Sequence, residues 1–344
     1  MSLPEPASPL NALLELEAER RPPPALLLND VTLREGEQSE GVSFPLEVKI
    51  ELARALEAAG VPQIQVGYPG RFPRDAEAVR AVSEALECAR VEAVALAFVP
   101  DWECEVDDCV ASGAQVVNVV YRASDRLHAL LGVSRDQALR RATEAVARAA
   151  AGGVTVAFSP SDATRADPGF LVELWRAAAE AGARRVYVAD SMGAATPELV
   201  ALLVRRARES TGLPVGVHCH DDLGLAVANT IAGVMAGAEI VDVAVNGLGD
   251  RAGNAPLEEV ATALALLYGL DPGLDLAALT ALSERFAEAS GRPLPPNKPV
   301  TGPAVFAHTL PTHVEAMRRD PRAIQPFEPE IVGNLQRIAP RPGP

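Results

Sequence analysis

The stretch Leu213–Val245, LPVGVHCHDDLGLAVANTIAGVMAGAEIVDVAV, decides the fold. A short β-branched run, Pro214-Val215-Gly216-Val217, closes on His218 and His220. A polar turn follows, then an Ala-rich helical segment over 222–236. Gly237 stands where that helix should stop, because glycine takes the left-handed cap conformation without steric cost. The next run, Val241-Asp242-Val243-Ala244-Val245, starts a few residues later. Strand, loop, helix, stop and strand make one β/α unit.

The unit recurs eight times between residues 25 and 268. Its β-branched runs end near Asp30, Gly67, Phe98, Tyr121, Phe158, Asp190, His220 and Val245. Helices are expected near 45–59, 74–88, 103–112, 134–151, 168–181, 196–210, 222–236 and 255–268. Gly60, Gly113, Gly152 and Gly182 stand at further helix ends. Eight units at roughly 30-residue spacing predict an α/β fold, a (β/α)8 barrel. A doubly wound sheet is the alternative, but it rarely alternates so evenly. Residues 1–24 are Pro- and Glu-rich and read as an N-terminal tail, with a short helix possible over Leu10–Leu16. Residues 269–344 predict a helix over 277–290, a Pro-rich connector and a helical piece near 311–319. That extension is expected to pack on the barrel or on a partner subunit.

The chain has 344 residues, a net charge of −15 and 48% hydrophobic residues. The acidic balance argues against nucleic acid and anionic membranes as partners. Lys49 and Lys298 are the only lysines, so arginine must meet any anionic substrate. With no apolar run of about 18 residues and no leader, a soluble, cytoplasmic protein is expected. Cys88, Cys104, Cys109 and Cys219 form no CxxC pair and read as reduced packing residues.

In a barrel the chemistry sits at the C-terminal strand ends. Asp30, His218, His220 and Asn254 fall there and are read as ligands of a divalent cation. His218 and His220, two apart on a strand, point the same way, and Cys219 between them points the other way. Arg34, Gln38, Ser159, Asp190 and Ser191 share the rim. A lone strand-end His or Asp is ordinarily a core or capping residue; the joint set points to metal-assisted chemistry.

Three stretches also resemble a family. Asn29-Asp30-Val31-Thr32-Leu33-Arg34-Glu35-Gly36-Glu37-Gln38 resembles the DxTLR(D/E)GEQ signature of the DRE-TIM metallolyase superfamily. His218-Cys219-His220-Asp221-Asp222-Leu223-Gly224-Leu225-Ala226 resembles its HxHNDLGLA strand. Asn246-Gly247-Leu248-Gly249-Asp250-Arg251-Ala252-Gly253-Asn254 resembles its NGxGERAGN loop. The likeness is nearest to homocitrate synthase of the nitrogen-fixation type, then to isopropylmalate and citramalate synthases. It implies a Claisen-type condensation of an acyl-CoA, usually acetyl-CoA, with a 2-oxo acid. It also implies a metal (Mn, Mg, Co or Zn) on Asp30, His218, His220 and Asn254, and Arg34 beside the reacting carbonyl. Ser191 is expected to donate to the substrate carboxylate, with Gln38, Ser159 and the Asp162–Arg165 stretch shaping the pocket. A homodimer with exchanged C-terminal segments is implied too.

The departures from the family pattern bear on the nucleophile. The SPED motif, whose Glu handles protons of the acyl group, reads Ser159-Pro160-Ser161-Asp162. The FxHExGIH segment reads Phe306-Ala307-His308-Thr309-Leu310-Pro311-Thr312-His313. Gln65 stands for a strand-two Glu, and Asp221 for the Asn after HxH. His313 or Asp162 is therefore expected to take over acid–base work. The alternatives are a different acyl donor, a metal-dependent aldolase or lyase acting without CoA, a non-enzymatic metal-binding protein, or an inactive paralogue. The Arg of lysine-type homocitrate synthases that binds a distal carboxylate is Ala157 here, whereas Arg122 and Arg71 are expected near the rim. They would bind a second anionic group on the oxo acid, unless they only pair with nearby acids. The chain ends before a C-terminal regulatory domain, so feedback through one is not expected.

Overall fold

A computed structural model describes residues 22–338, so the expected tail lies almost wholly outside the described residues. Eight parallel strands close a barrel in sequential order. They are β1 (Leu27–Asp30), β2 (Gln63–Gly67), β3 (Arg90–Leu96), β4 (Val116–Arg122), β5 (Thr155–Ser161), β6 (Arg185–Asp190), β7 (Val215–Cys219) and β8 (Ile240–Val243). The doubly wound alternative is excluded by β1 pairing with β8, Leu27 against Ile240 through Asp30 against Val243.

Among the described residues, twelve helices accompany the strands. In the barrel they are α1 (Thr32–Glu35), α2 (Leu46–Ala58), α3 (Pro73–Ala85), α4 (Trp102–Ala111), α5 (Asp125–Leu131), α6 (Arg135–Ala151), α7 (Pro168–Glu180), α8 (Pro197–Thr211), α9 (Ala226–Met235) and α10 (Leu257–Tyr268). Beyond it come α11 (Leu279–Ser290) and α12 (Pro311–Arg319), with a two-stranded pair, β9 (Ala307–His308) and β10 (Arg337–Ile338). Local chemistry sets the starts: Ser134 and Gln137 form a capping box on α6, and the Asp167 and Thr196 side chains cap α7 and α8 ahead of Pro168 and Pro197. The helices not expected are α1 and α5, each too short to show a helical period in the sequence, and the two-residue strands β9 and β10 are not expected either.

Strand alternation separates two layers. Leu28, Ile64, Val91, Val117, Val156, Val186, Val217 and Val241 pack outward in the main core, where helices cover them. Cys219 joins that layer, as alternation predicted, and burial pushes its thiol up to about 12. Val116, Ala157, Tyr187 and Ile240 fill the barrel interior. Gly216 faces the Tyr187 ring so closely that a Cβ would collide with it.

Beside this apolar cluster the interior is polar. Glu92, fully buried, accepts from Asn29 (3.2 Å), Gln63 (2.8 Å), Gln65 and the Arg185 guanidinium (3.2 Å). Asn29 also donates to Asp242 at 2.8 Å.

Asp30 belongs to the other layer. Its Oδ1 accepts from the Thr32 amide (3.0 Å), its Oδ2 from the Thr32 hydroxyl (2.9 Å), and that hydroxyl accepts from the Val245 amide (2.8 Å). The relay ties the end of β1 to the end of β8. Burial pushes the Asp30 carboxyl up to about 7, against the lowering effect of those hydrogen bonds. The native state thus holds a proton that the unfolded chain releases near the ordinary 3.8. The associated stabilisation is complete below that pH and is lost as pH rises to about 7. Asp30→Asn, which cannot ionise, should flatten the slope of stability between about pH 4 and 7. Urea midpoints of both proteins across that window check this, and parallel slopes would show that Asp30 is not its source.

Candidate active site

The polar interior opens at the C-terminal strand ends into a cavity of about 270 Å³. Its floor is set by β7 and β8. Asp242 Oδ2 lies 3.0 Å from His218 Nδ1 and accepts its proton, leaving Nε2 as a lone pair. His218 Nε2 faces His220 Nε2 at 3.3 Å, and Glu35 Oε1 lies 3.7 Å from the latter. Ligand atoms of Glu35, His218 and His220 all lie within 4.8 Å of one another. Burial first, then His218, Arg251 and Arg34, push the His220 imidazole down to about 3, so it stays neutral. Its Nδ1 is buried with no partner among the described residues. Two imidazole nitrogens with one carboxylate around a common point form a donor set that a divalent cation fits. The Asn254 amide lies 3.2 Å from His218 Nε2, close enough to add an oxygen if turned over.

The carboxylate beside the histidines is Glu35, not Asp30. Period-two alternation, which aims His218 inward, aims Asn29 inward and Asp30 outward, where Thr32 occupies both its oxygens. The chain then turns through α1 and brings Glu35 back over the barrel. Glu35 is ion-paired with Arg34. Arg34 also donates from Nε to Gln65 (2.5 Å) and from Nη1 to the Tyr68 hydroxyl (2.9 Å).

The other expected residues divide. Gln38, Ser159, Ser191 and Arg122 line the cavity, and so does Ser161. The Arg122 guanidinium lies 4.3 Å over the Phe98 ring and makes no ion pair among the described residues. Asp190 is buried as a cap, accepting from the amides of Ala194 and Ala195. Arg71 is outside the lining, paired with Glu105 (2.9 Å) and Asp101 (3.6 Å), because α4 brings both acids to it. Asp162 is also outside. It sits in a left-handed backbone conformation, fully buried, with its carboxylate clamped by Arg165 (2.7 and 2.9 Å) and by Ser124 (2.5 Å). Asp162 thus fixes the loop after β5, and its amide donates to Ser191 Oγ at 2.8 Å. His313 is exposed on α12, its ring 6.2 Å from His308, and does not reach the cavity of its own chain.

Sequence reasoning missed Glu35, Tyr68, Asp242 and Arg251. Asp242 carried a signal, an acid in the middle of an apolar run. Arg251 had none, since its role depends on Asp222 (2.7 and 2.9 Å), Asp250 (2.6 Å) and the Ser191 carbonyl (2.8 Å) meeting at the cavity mouth.

Glu35→Gln and His218→Ala should each abolish stoichiometric retention of a divalent metal. Asp242→Asn should weaken metal affinity by about 10–100-fold, because it loosens the hold on His218. Asp30→Asn should retain wild-type metal content. Metal analysis after equilibrium dialysis against manganese checks all four; loss in Asp30→Asn with retention in Glu35→Gln would restore Asp30 as the ligand.

Comparison with known proteins follows this geometry. Residues 25–285 match the family described as HMGL-like. The homocitrate synthase AksA of Methanopyrus kandleri is 41% identical over 318 residues, 92% of this chain and 79% of that protein. The 2-isopropylmalate synthase 2 of Caldanaerobacter subterraneus is 39% identical over 310 residues, 90% of this chain and 80% of that protein. The crystal structure of the Bacillus subtilis HMG-CoA lyase superposes with a TM-score of 0.66 at 21% identity, covering 80% of this chain and 96% of that one, a likeness of fold. The barrel, its rim and these relatives agree: the chain belongs to the HMGL-like family.

Proposed function

We propose that this enzyme condenses acetyl-CoA with a small, dianionic 2-oxo acid, releasing CoA and a 2-hydroxy diacid. The observation that carries the reading is the Glu35, His218 and His220 donor set facing Arg34 in one cavity. Relatives named homocitrate and 2-isopropylmalate synthases support it.

Glu35, His218, His220 and Asn254 are the proposed holders of a divalent cation (Mn, Mg, Co or Zn). Such an ion supplies Lewis-acid polarisation of a keto group. Arg34, held by Gln65 and Tyr68, places a fixed positive charge beside the carbonyl oxygen that gains electrons. Ser191 presents its hydroxyl to the 2-carboxylate, with Gln38 and Ser159 on the adjoining walls. Arg122, stacked on Phe98 across the cavity, takes the second anionic group. A cavity of about 270 Å³ accepts a short oxo acid and the acyl end of the thioester, leaving the nucleotide outside. No Glu stands at Ser161, so removal of the acyl α-proton falls to another group. A homodimer exchanging C-terminal segments would let His313 of the partner subunit serve there. Among the described residues no helix is long and apolar enough to cross a membrane.

A thiol-release assay tests the condensation. It uses acetyl-CoA, manganese and a panel of pyruvate, 2-oxoisovalerate, oxaloacetate, 2-oxoglutarate and phosphonopyruvate, with chelator controls. Metal-dependent release with a dianionic member is expected; metal-loaded protein that releases no thiol with any of them would sink the reading. Arg122→Ala should raise KM for the dianionic substrate by about 10–100-fold, the worth of a charged hydrogen bond. Its effect on pyruvate should stay under about 3-fold, and equal effects on both acids would remove Arg122 from the anion site.

A further inference from the structure

We infer that Tyr68 is a catalytic residue, the proton donor to the keto oxygen of the oxo acid. The assignment rests on the condensation reading above and supplies a role that reading leaves open. Each carboxylate lining the cavity is already engaged: Glu35 by Arg34, Asp242 by His218 and Asn29, and Asp250 by Arg251. Proton donors must therefore come from hydroxyls. Ser191 spends an acceptor site on the Asp162 amide, and Ser159 and Ser161 lie on β5 with no cation bonded to their oxygens.

Tyr68 differs. Its hydroxyl oxygen accepts from Arg34 Nη1 at 2.9 Å and from Gln38 Nε2 at 3.3 Å. A phenol has two acceptor sites and one proton. Both acceptor sites are filled by groups that only donate in this arrangement. The remaining O–H has no protein acceptor among the described residues, and Tyr68 lines the cavity. Its proton is thus left for a ligand oxygen. Arg34, which bonds the same hydroxyl, also pairs with Glu35 of the donor set, so Tyr68 stands one side chain from the reacting centre.

The residue is held firmly. It follows β2, its amide donates to Asp75 Oδ2 at 2.9 Å, and its carbonyl accepts from the amides of Arg71 and Phe72, both at 3.0 Å. The Phe72 ring meets Tyr68 edge-on, with centroids 6.5 Å apart.

The step balances as follows. A base takes the α-proton of acetyl-CoA, and the resulting carbanion forms the new C–C bond at the keto carbon. The C=O π pair moves to the keto oxygen, which takes the Tyr68 proton and becomes the 2-hydroxyl. The phenolate left behind keeps its hydrogen bonds from Arg34 and Gln38 and regains its proton, through solvent, from the protonated base. Hydrolysis of the thioester then frees CoA.

Tyr68→Phe removes only the hydroxyl and keeps the ring against Phe72. The expected result is a fall in kcat of about 10²-fold, the usual worth of one acid–base group, with KM for the oxo acid changed by less than about 3-fold. Proton transfer from Tyr68 also predicts a solvent deuterium isotope effect on the wild-type kcat that disappears in Tyr68→Phe, whereas loss of a residue that merely propped Arg34 would leave that effect unchanged. Denaturant midpoints and metal content of the variant should equal those of the wild type. Active wild type with a Tyr68→Phe kcat within about 3-fold of it, or with the solvent isotope effect unchanged in the variant, overturns the assignment alone. Metal-loaded wild type that releases no thiol overturns the condensation reading and takes the assignment with it.

Discussion

The site depends on one buried carboxylate. Glu92, on β3 near the middle of the barrel, has no contact with solvent and collects hydrogen bonds from Asn29, Gln63, Gln65 and Arg185. An isolated charge at that depth would cost several kcal/mol, so the ring of donors and the single cation beneath it are what permit it. Two of the donors have a second duty. Asn29 passes the connection to Asp242 and so to His218; Gln65 passes it to Arg34. The two sides of the cavity are thereby oriented from one point, and a shift of Glu92 would move the imidazole and the guanidinium together. Burial holds the Glu92 carboxyl above its ordinary range, with Arg185 opposing that shift.

Charge distribution follows the same economy. The chain as a whole carries −15, yet its cavity presents Arg34, Arg122 and Arg251. Arg34 and Arg251 are paired with acids at the cavity, which leaves Arg122 as its guanidinium with no ion pair among the described residues. Arginine suits this better than lysine, because its planar fork holds several partners at once. Arg251 bonds Asp222, Asp250 and the Ser191 carbonyl, and Arg34 bonds Gln65, Tyr68 and Glu35.

Much of this was legible in residue order. The helix expected over 134–151 spans Arg135–Ala151, and that over 168–181 spans Pro168–Glu180, because caps and glycine stops are local chemistry. Placement on the rim was also legible for Gln38, Ser159, Ser191, His218 and His220, since strand ends mark it. Asp30 shows where residue type misled: an acid at a strand end is either a ligand or a cap, and only its side of the strand decides. Arg71 and Asp162 failed for another reason. Their partners, Glu105 and Arg165, neutralise them, and a list of residues along the chain does not say which charges meet.

The sequence by itself determined the eightfold β/α order, the face of each strand and the rim on which the polar residues gather, because these follow from short-range periodicity and steric stops. Only the tertiary structure decided which of those residues converge. Glu35 reaches His220 through a one-turn helix too short to announce itself. Tyr68 receives Arg34 and Gln38 across 34 and 30 residues, and Asp242 reaches His218 across 24. Such contacts are set by barrel closure and strand register, which bring distant residues within hydrogen-bond range and leave no trace in local spacing.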